Sequence, residues 1–231
     1  MDKLNILYED NHIIAVNKNV SDIVQGDKTG DEPLSEKVKA YIKNKYNKPG
    51  DVFLGIPHRV DRPVSGVVIF ARTSKALTRL NKMFQEKERE IKKIYWAIVC
   101  TMPKEESATL THYLVRDQEK NITKAYDKPR GNAKEARLHY KLTGSSDKYF
   151  FLEIQLFTGR HHQIRCQLSK IGCPIKGDLK YGAPRSNPDG GISLHARSLS
   201  FVHPVSQKEI TITAPVPAGE QLWTLFKQTV K

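Results

Sequence analysis

Residues 67–71, Val-Val-Ile-Phe-Ala, form an unbroken apolar run dominated by β-branched and aromatic side chains. A run this short, without polar alternation, reads as a strand covered on both faces. The nine residues before it are His58-Arg59-Val60-Asp61-Arg62-Pro63-Val64-Ser65-Gly66. A histidine, two arginines and an aspartate therefore crowd into five positions at the entrance of a buried strand.

The other apolar segments are also short, and they pair across turns. Residues 6–8 and 12–16 flank Glu9-Asp10-Asn11. Residues 136–141 and 149–157 flank Gly144-Ser145-Ser146-Asp147, and residues 193–202 and 209–214 flank His203-Pro204. Each pair predicts a hairpin, and residues 94–102 predict a further strand. A helix is predicted over 34–46, where Leu34, Val38, Tyr41 and Ile42 share a face. Another starts at Ser74, read as its N-cap, with Leu77, Leu80, Met83, Phe84 and Ile91 on one side and a lysine- and arginine-rich flank that includes Lys87, Arg89, Lys92 and Lys93. Shorter helices are predicted over 162–171, ended by Gly172, and over 219–227. Strands outnumber helices and arrive in hairpins. The expected fold class is α+β, with a large mixed, mostly antiparallel central sheet flanked by helices and loops. With 231 residues, a single domain over 1–231 or two fused subdomains is expected.

Lys and Arg number 38 against 25 Asp and Glu, a net charge of +13. Such an excess points to a polyanion, either nucleic acid or an anionic membrane surface, unless it serves solubility alone. The apolar share of 39% is that of a globular chain and excludes a wholly disordered or collagen-like one. Cys100, Cys166 and Cys173 are an odd number without a Cys-x-x-Cys pair, which fits a reducing cytoplasm better than a disulfide framework and gives no zinc signature. The first 18 residues carry charges throughout, unlike a secretory signal, and no apolar run approaches the roughly 18–20 residues of a membrane span. A cytoplasmic monomer without membrane attachment is expected.

Asp61, between two guanidiniums, should stay ionised, which suits a nucleophile or an electrostatic stabiliser better than a general acid. The same Arg-x-Asp-Arg string is also compatible with an ordinary surface ion pair. A second segment, Thr158-Gly159-Arg160-His161-His162-Gln163-Ile164-Arg165, joins a strand to a helix. Arg160 and the helix start are candidates for phosphate binding. Arg165 lies within the helix and, if buried, needs a carboxylate, for which Asp61 is the natural candidate. His161 and His162 are adjacent and point in different directions, so no metal site is expected. Cys166 reads as a packing residue. A third cluster, residues 174–182, carries Lys176 and Lys180 in a glycine-containing loop that suits RNA phosphates or simply turns the chain. Tyr95 opens a strand and reads, in isolation, as core.

Taken together, these segments resemble the RluA-type family of RNA pseudouridine synthases. His58-Arg59-Val60-Asp61 with Ser65-Gly66 is similar to the family's His-Arg-Leu-Asp…Ser-Gly signature, with Val60 in place of Leu. Lys93-Ile94-Tyr95-Trp96-Ala97 resembles its Lys-x-Tyr-x-Ala element. Residues 158–165 followed by 171–178 resemble its third signature, with Gln167 where a histidine is frequent, and residues 8–18 also fit. No RNA-binding domain of the S4 type is expected before the catalytic part. The resemblance implies isomerisation of uridine in structured RNA, ribosomal or transfer, with no cofactor and no metal. It implies Asp61, Tyr95 and Arg165 as catalytic residues. Arg59 would fill the stack vacated by a flipped uridine, Tyr95 would meet the uracil, and Ile164 would wall the pocket. Phosphate and base contacts would come from His58, Arg59, Arg62, Arg160, Lys176 and Lys180. Two other classes share the basic surface: a non-catalytic RNA-binding or ribosome-assembly protein, and a nuclease using His58, His161 or His162.

Overall fold

The computed structural model describes residues 4–27, 29–85 and 91–230. In chain order the elements are β1 (Ile6–Glu9), β2 (Ile13–Lys18), α1 (Leu34–Lys45), β3 (Ser65–Ala71) and α2 (Ser74–Gln85). Then come β4 (Ile91–Val99), β5 (Ser107–Asp117), β6 (Ile122–Tyr126), β7 (Lys134–Ser145), β8 (Phe150–Leu156) and α3 (Gln163–Lys170). The chain ends with β9 (Leu194–Val202), β10 (Glu209–Thr213) and α4 (Gln221–Thr229). It divides into two compact units, Met1–Ile91 with Ala196–Pro215 and Lys92–His195 with Val216–Lys231.

In the first unit β1, β2 and β3 pair antiparallel, with Val16 opposite Val68 and Lys18 opposite Gly66. All seven residues of β3 are buried, as its uniform apolar sequence requires. Its Val67, Ile69 and Ala71 pack with Ile13 and Ala15 of β2, Ala76 and Leu80 of α2, and Leu199, Phe201 and Ile212 of β9 and β10. The second unit carries a fully antiparallel ladder in the order β4-β8-β7-β5-β6. Helix α4 closes this unit's aromatic cluster. Phe226 stacks on Trp96 at 4.5 Å and on Phe151 at 5.0 Å between ring centroids, offset aromatic geometry that adds to the area it buries.

The α+β class and its mostly antiparallel pairing are those expected from sequence. Three details differ. The cap of α2 is Thr73, whose hydroxyl accepts the Ala76 N–H at 3.2 Å, one residue before Ser74. Ile91, Lys92 and Lys93 belong to β4 and not to that helix, and the expected helix positions Lys87 and Arg89 fall outside the described residues. The hairpin β5–β6 has no counterpart among the expected elements. Its strands bury His112 and Thr123 as well as Leu114 and mix Thr and His with Leu and Val, so they lack a clean apolar face. No described helix is long and apolar enough to cross a membrane.

Candidate functional site

The charged motif of the first unit is an ordered turn. Asp61 is half-buried, and its carbonyl accepts the Val64 N–H at 3.0 Å. Beneath the turn lies Lys18, the last residue of β2. Ile14 and Val16 precede it on the same strand face, and its side chain is fully buried. Its ammonium donates to the carbonyls of Arg62 at 3.0 Å, Val64 at 2.7 Å and Asn19 at 2.8 Å. Three donors meet three acceptors, which is how a buried ammonium is tolerated. Burial pulls Lys18 down to about 8, while the carboxylates of Asp22 and Asp61 act in the opposite direction. A buried cation thus grips the backbone on the C-terminal side of Asp61 and attracts its carboxylate.

Gly66 completes this geometry. Its φ is +114°, and a Cβ there would stand 2.3 Å from the carbonyl oxygen of Ala196. Only glycine fits both the conformation and the approach of the two backbones. His58 anchors the other end of the motif. Its Nε2 accepts the Ile69 N–H at 3.0 Å and its ring stacks on Phe84 at 4.5 Å. A ring nitrogen that accepts an N–H carries no proton, so the hydrogen resides on Nδ1. Arg59 is exposed, as is Arg62, which pairs with Asp31 at 2.7 Å.

The other expected site residues belong to the second unit. Tyr95, half-buried on β4, stands opposite Ile154 of β8. Ile164 and Arg165 are buried in the first turn of α3. The Arg165 guanidinium grips both oxygens of buried Asp178, with Nε to Oδ2 at 2.7 Å and Nη2 to Oδ1 at 2.8 Å, and lies 5.0 Å from the Tyr181 ring centroid. Asp178, thirteen residues along the chain, takes two of its nitrogens, because the loop of residues 174–182 folds back under the helix. Gln167 is fully buried and its amide reaches the carbonyls of Leu110 and Ala136 and Nδ1 of His112. It ties α3 to β5 and β7.

The turn before α3 is built from its own polar groups. Gln163 Oε1 accepts from the Arg160 N–H at 3.0 Å and the Thr158 hydroxyl at 2.8 Å. His162 sits at φ +50°, and its ring stacks on His161 at 3.8 Å. The Tyr181 hydroxyl accepts the Thr123 N–H at 2.7 Å and lies within hydrogen-bond distance of His162 Nδ1, at 2.9 Å. Burial first, then the charges of Arg165, His161, Lys180 and Arg116, push His162 down to about 2. It is a neutral structural imidazole. Cys166 packs as expected, its thiol on the Gln163 carbonyl.

Lys176 and Lys180, expected together on RNA phosphates, have different surroundings. Lys176 donates to Glu220 at 2.7 Å and to Asn187 at 2.8 Å, which engages it in holding the second unit together. Lys180 is exposed, its ammonium 3.3 Å from the Asn121 carbonyl.

A model of the RNA pseudouridylate synthase family matches residues 12–170. The chain belongs to that family. An uncharacterized RNA pseudouridine synthase of Synechocystis is 35% identical over 98% of this chain and 70% of its own length. Ribosomal large subunit pseudouridine synthase D of Xanthomonas campestris is 31% identical over 94% of this chain and 67% of its own. Ribosomal large subunit pseudouridine synthase C of Vibrio cholerae is 31% identical over 96% of this chain and 69% of its own length. The chain thus spans about two thirds of the length of these relatives. Among solved structures, human RNA pseudouridylate synthase domain containing 4 superposes with a TM-score of 0.76 over 98% of this chain and 91% of that one, at 22% identity, a likeness of fold. The RluA-type resemblance read from the motifs is therefore correct, and the chain is an isomerase of RNA uridines.

Two residues of the site escaped the sequence reading. Lys18 had a signal, a lysine placed in phase with the apolar residues of a buried strand. Asp178 closes the run 171–178 of the third signature, and nothing in the sequence tied it to Arg165.

Proposed function

We propose that this synthase converts uridine to pseudouridine in ribosomal RNA, with Asp61 as its catalytic carboxylate. In this reaction the N1–C1′ bond breaks, the uracil turns, and C5 bonds to C1′. The C5 proton leaves and N1 gains one, so the formula of the nucleotide is unchanged. The observation that carries the assignment is the turn at Asp61, whose flanking carbonyls are held by the fully buried Lys18 ammonium. A carboxylate attacking the sugar or the base gains from being presented on a backbone that does not move. Exposed Arg59 is suited to reach RNA and fill the stack left by a flipped uridine, since its guanidinium is planar. Tyr95 and Arg165 are assigned to the uracil and to the carboxylate on the strength of the family signatures they occupy. The choice of ribosomal over transfer RNA rests on relatives named for the large ribosomal subunit.

Asp61→Asn tests the assignment. The amide is nearly isosteric but carries no charge. Turnover should fall on the order of a thousandfold or more, with melting temperature and RNA affinity close to wild type. Near-normal turnover by the purified variant would remove Asp61 from the chemistry. Pseudouridine mapping of total RNA from a deletion strain and its parent tests the substrate. A lost site in transfer RNA, with ribosomal RNA unchanged, would overturn the ribosomal assignment.

A further inference from the structure

The second unit contains a cavity of about 400 Å³ between the β5–β6 hairpin, the start of β7 and the turn at Gly159. None of Asp61, Tyr95, Ile164 and Arg165 lines it. Its cationic walls are Arg116, Lys134 and Arg160, and Gln118, Asn132 and His161 add polar groups. Strand register explains why these residues meet. Arg116 stands opposite Thr123 on β6, and Leu114 stands opposite Lys134 on β7. Leu114 and Arg116 point to the same face, two residues apart. His161 closes the wall through Thr123. The Thr123 hydroxyl donates to the His161 carbonyl at 3.0 Å and its oxygen lies 2.8 Å from His161 Nδ1. Arg160 is steadied by its Nε on the Glu135 carbonyl at 3.1 Å.

The charge balance of this cavity is one-sided. No Asp or Glu lines it. Elsewhere cations are neutralised locally, as in Lys45–Glu9, Arg62–Asp31, Lys170–Asp127 and Lys176–Glu220. Among the described residues, no carboxylate lies within ion-pair distance of Arg116, Lys134 or Arg160. Neighbouring groups register the field. Lys93 is lowered by burial and then by Arg160, and His162 is lowered by burial and then by a set of cations that includes Arg116. Three cations held around a concavity without a counter-charge form an anion site. The cavity is of the size class that takes a small ligand. The side-chain amides of Gln118 and Asn132 offer both donors and acceptors, as a base edge requires.

We propose that this cavity holds one nucleotide of the RNA substrate other than the uridine being isomerised, with its phosphodiester on Arg116, Lys134 and Arg160 and its base edge on Gln118 and Asn132. The inference rests on the reading of the chain as an RNA-modifying enzyme and adds a second point of grip on the substrate. Contacts of this kind set position and affinity and do no chemistry.

The test is the double variant Arg116→Glu with Lys134→Glu, two exposed positions. Affinity for a labelled RNA hairpin is measured at several salt concentrations, beside turnover at saturating RNA. A control of equal charge change, Lys43→Glu with Lys48→Glu, alters exposed residues at and beyond the end of α1. The cavity variant should bind at least about tenfold more weakly, and the magnitude of its log–log salt slope should drop by about 1.4–1.8 for two lost contacts. Its turnover at saturation should stay within about twofold of wild type. The milder pair Arg116→Gln with Lys134→Gln should show the same loss of slope at an unchanged melting temperature, which covers a folding defect in the reversal. Unchanged affinity and slope, or an equal loss in the control, overturns the proposal. So does micromolar binding of free uridine monophosphate that the variant loses while RNA affinity is kept. The binding measurements need no turnover. A wild type that grips RNA through this cavity but forms no pseudouridine would defeat the proposed function and leave the cavity's role standing.

Discussion

Lys18 combines a buried charge with a mechanical task. It ranks among the largest fully buried side chains, and its three hydrogen bonds end on backbone carbonyls, two of them within three residues of Asp61. Lys18→Met would keep the aliphatic stem and remove every donor. The exposed motif residues should still reach RNA, so KM should change little while kcat falls as the turn loosens. The amine also predicts a pH signature. Its folded value near 8 lies below the ordinary 10.5. Between those values the unfolded chain holds a proton that the folded chain has released, so this group's contribution to stability grows as pH rises and is lost as pH falls through 8. The melting-temperature difference between wild type and Lys18→Met should therefore move in favour of wild type from pH 8 to pH 10. A difference that stays flat across that range would mean that the amine is not held as described.

Helix α3 shows how a short element becomes rigid without help from its own ends. It has eight residues, begins from a left-handed His162 and has no side-chain cap. An isolated helix of that length has negligible stability in water. It is held by side chains aimed at other elements, with Gln167 on β5 and β7 and Arg165 on Asp178. Arg165→Met leaves the Asp178 carboxylate buried opposite a thioether, at a cost of roughly 3–5 kcal/mol. The melting temperature should fall on the order of 10 °C, and Asp178→Leu placed in the same chain should recover part of the loss. Arg59→Ala, at an exposed position, should melt like wild type and lose activity. Equal destabilisation by Arg165→Met and Arg59→Ala would show that the two arginines do not divide structure and chemistry in this way. The helix itself was legible from its spacing and from Gly172. Its partners were not, because a helical repeat identifies a buried face without identifying what covers it.

At the scale of the whole molecule the dominant quantity is the net charge of +13. Ion pairs such as those of Lys45, Lys170 and Lys176 cancel within that figure and leave it intact, and part of the excess lines the cavity beside Arg160. The excess is available to phosphate, but only the cations on the face that meets the RNA can use it, so affinity should depend on a handful of contacts. About five contacts give a slope of roughly −4 in log affinity against log salt. Titrating a labelled hairpin at several salt concentrations measures it directly, and an affinity indifferent to salt would remove phosphate contacts as the source of binding.

The motif order and the α+β class came from sequence, because both depend on near neighbours. A buried strand shows in its unbroken apolar run, and a hairpin in the turn between two such runs. The order of four signatures along the chain pointed to the family before any coordinate. Tertiary structure alone decided which groups meet. Lys18 reaches carbonyls 44 and 46 residues away. Arg165 takes a carboxylate from a loop read as a phosphate contact or a simple turn. Part of the cavity wall comes from a hairpin whose strands lack a clean apolar face. These contacts join residues far apart in sequence, and each depends on the chain having already folded around the remaining core.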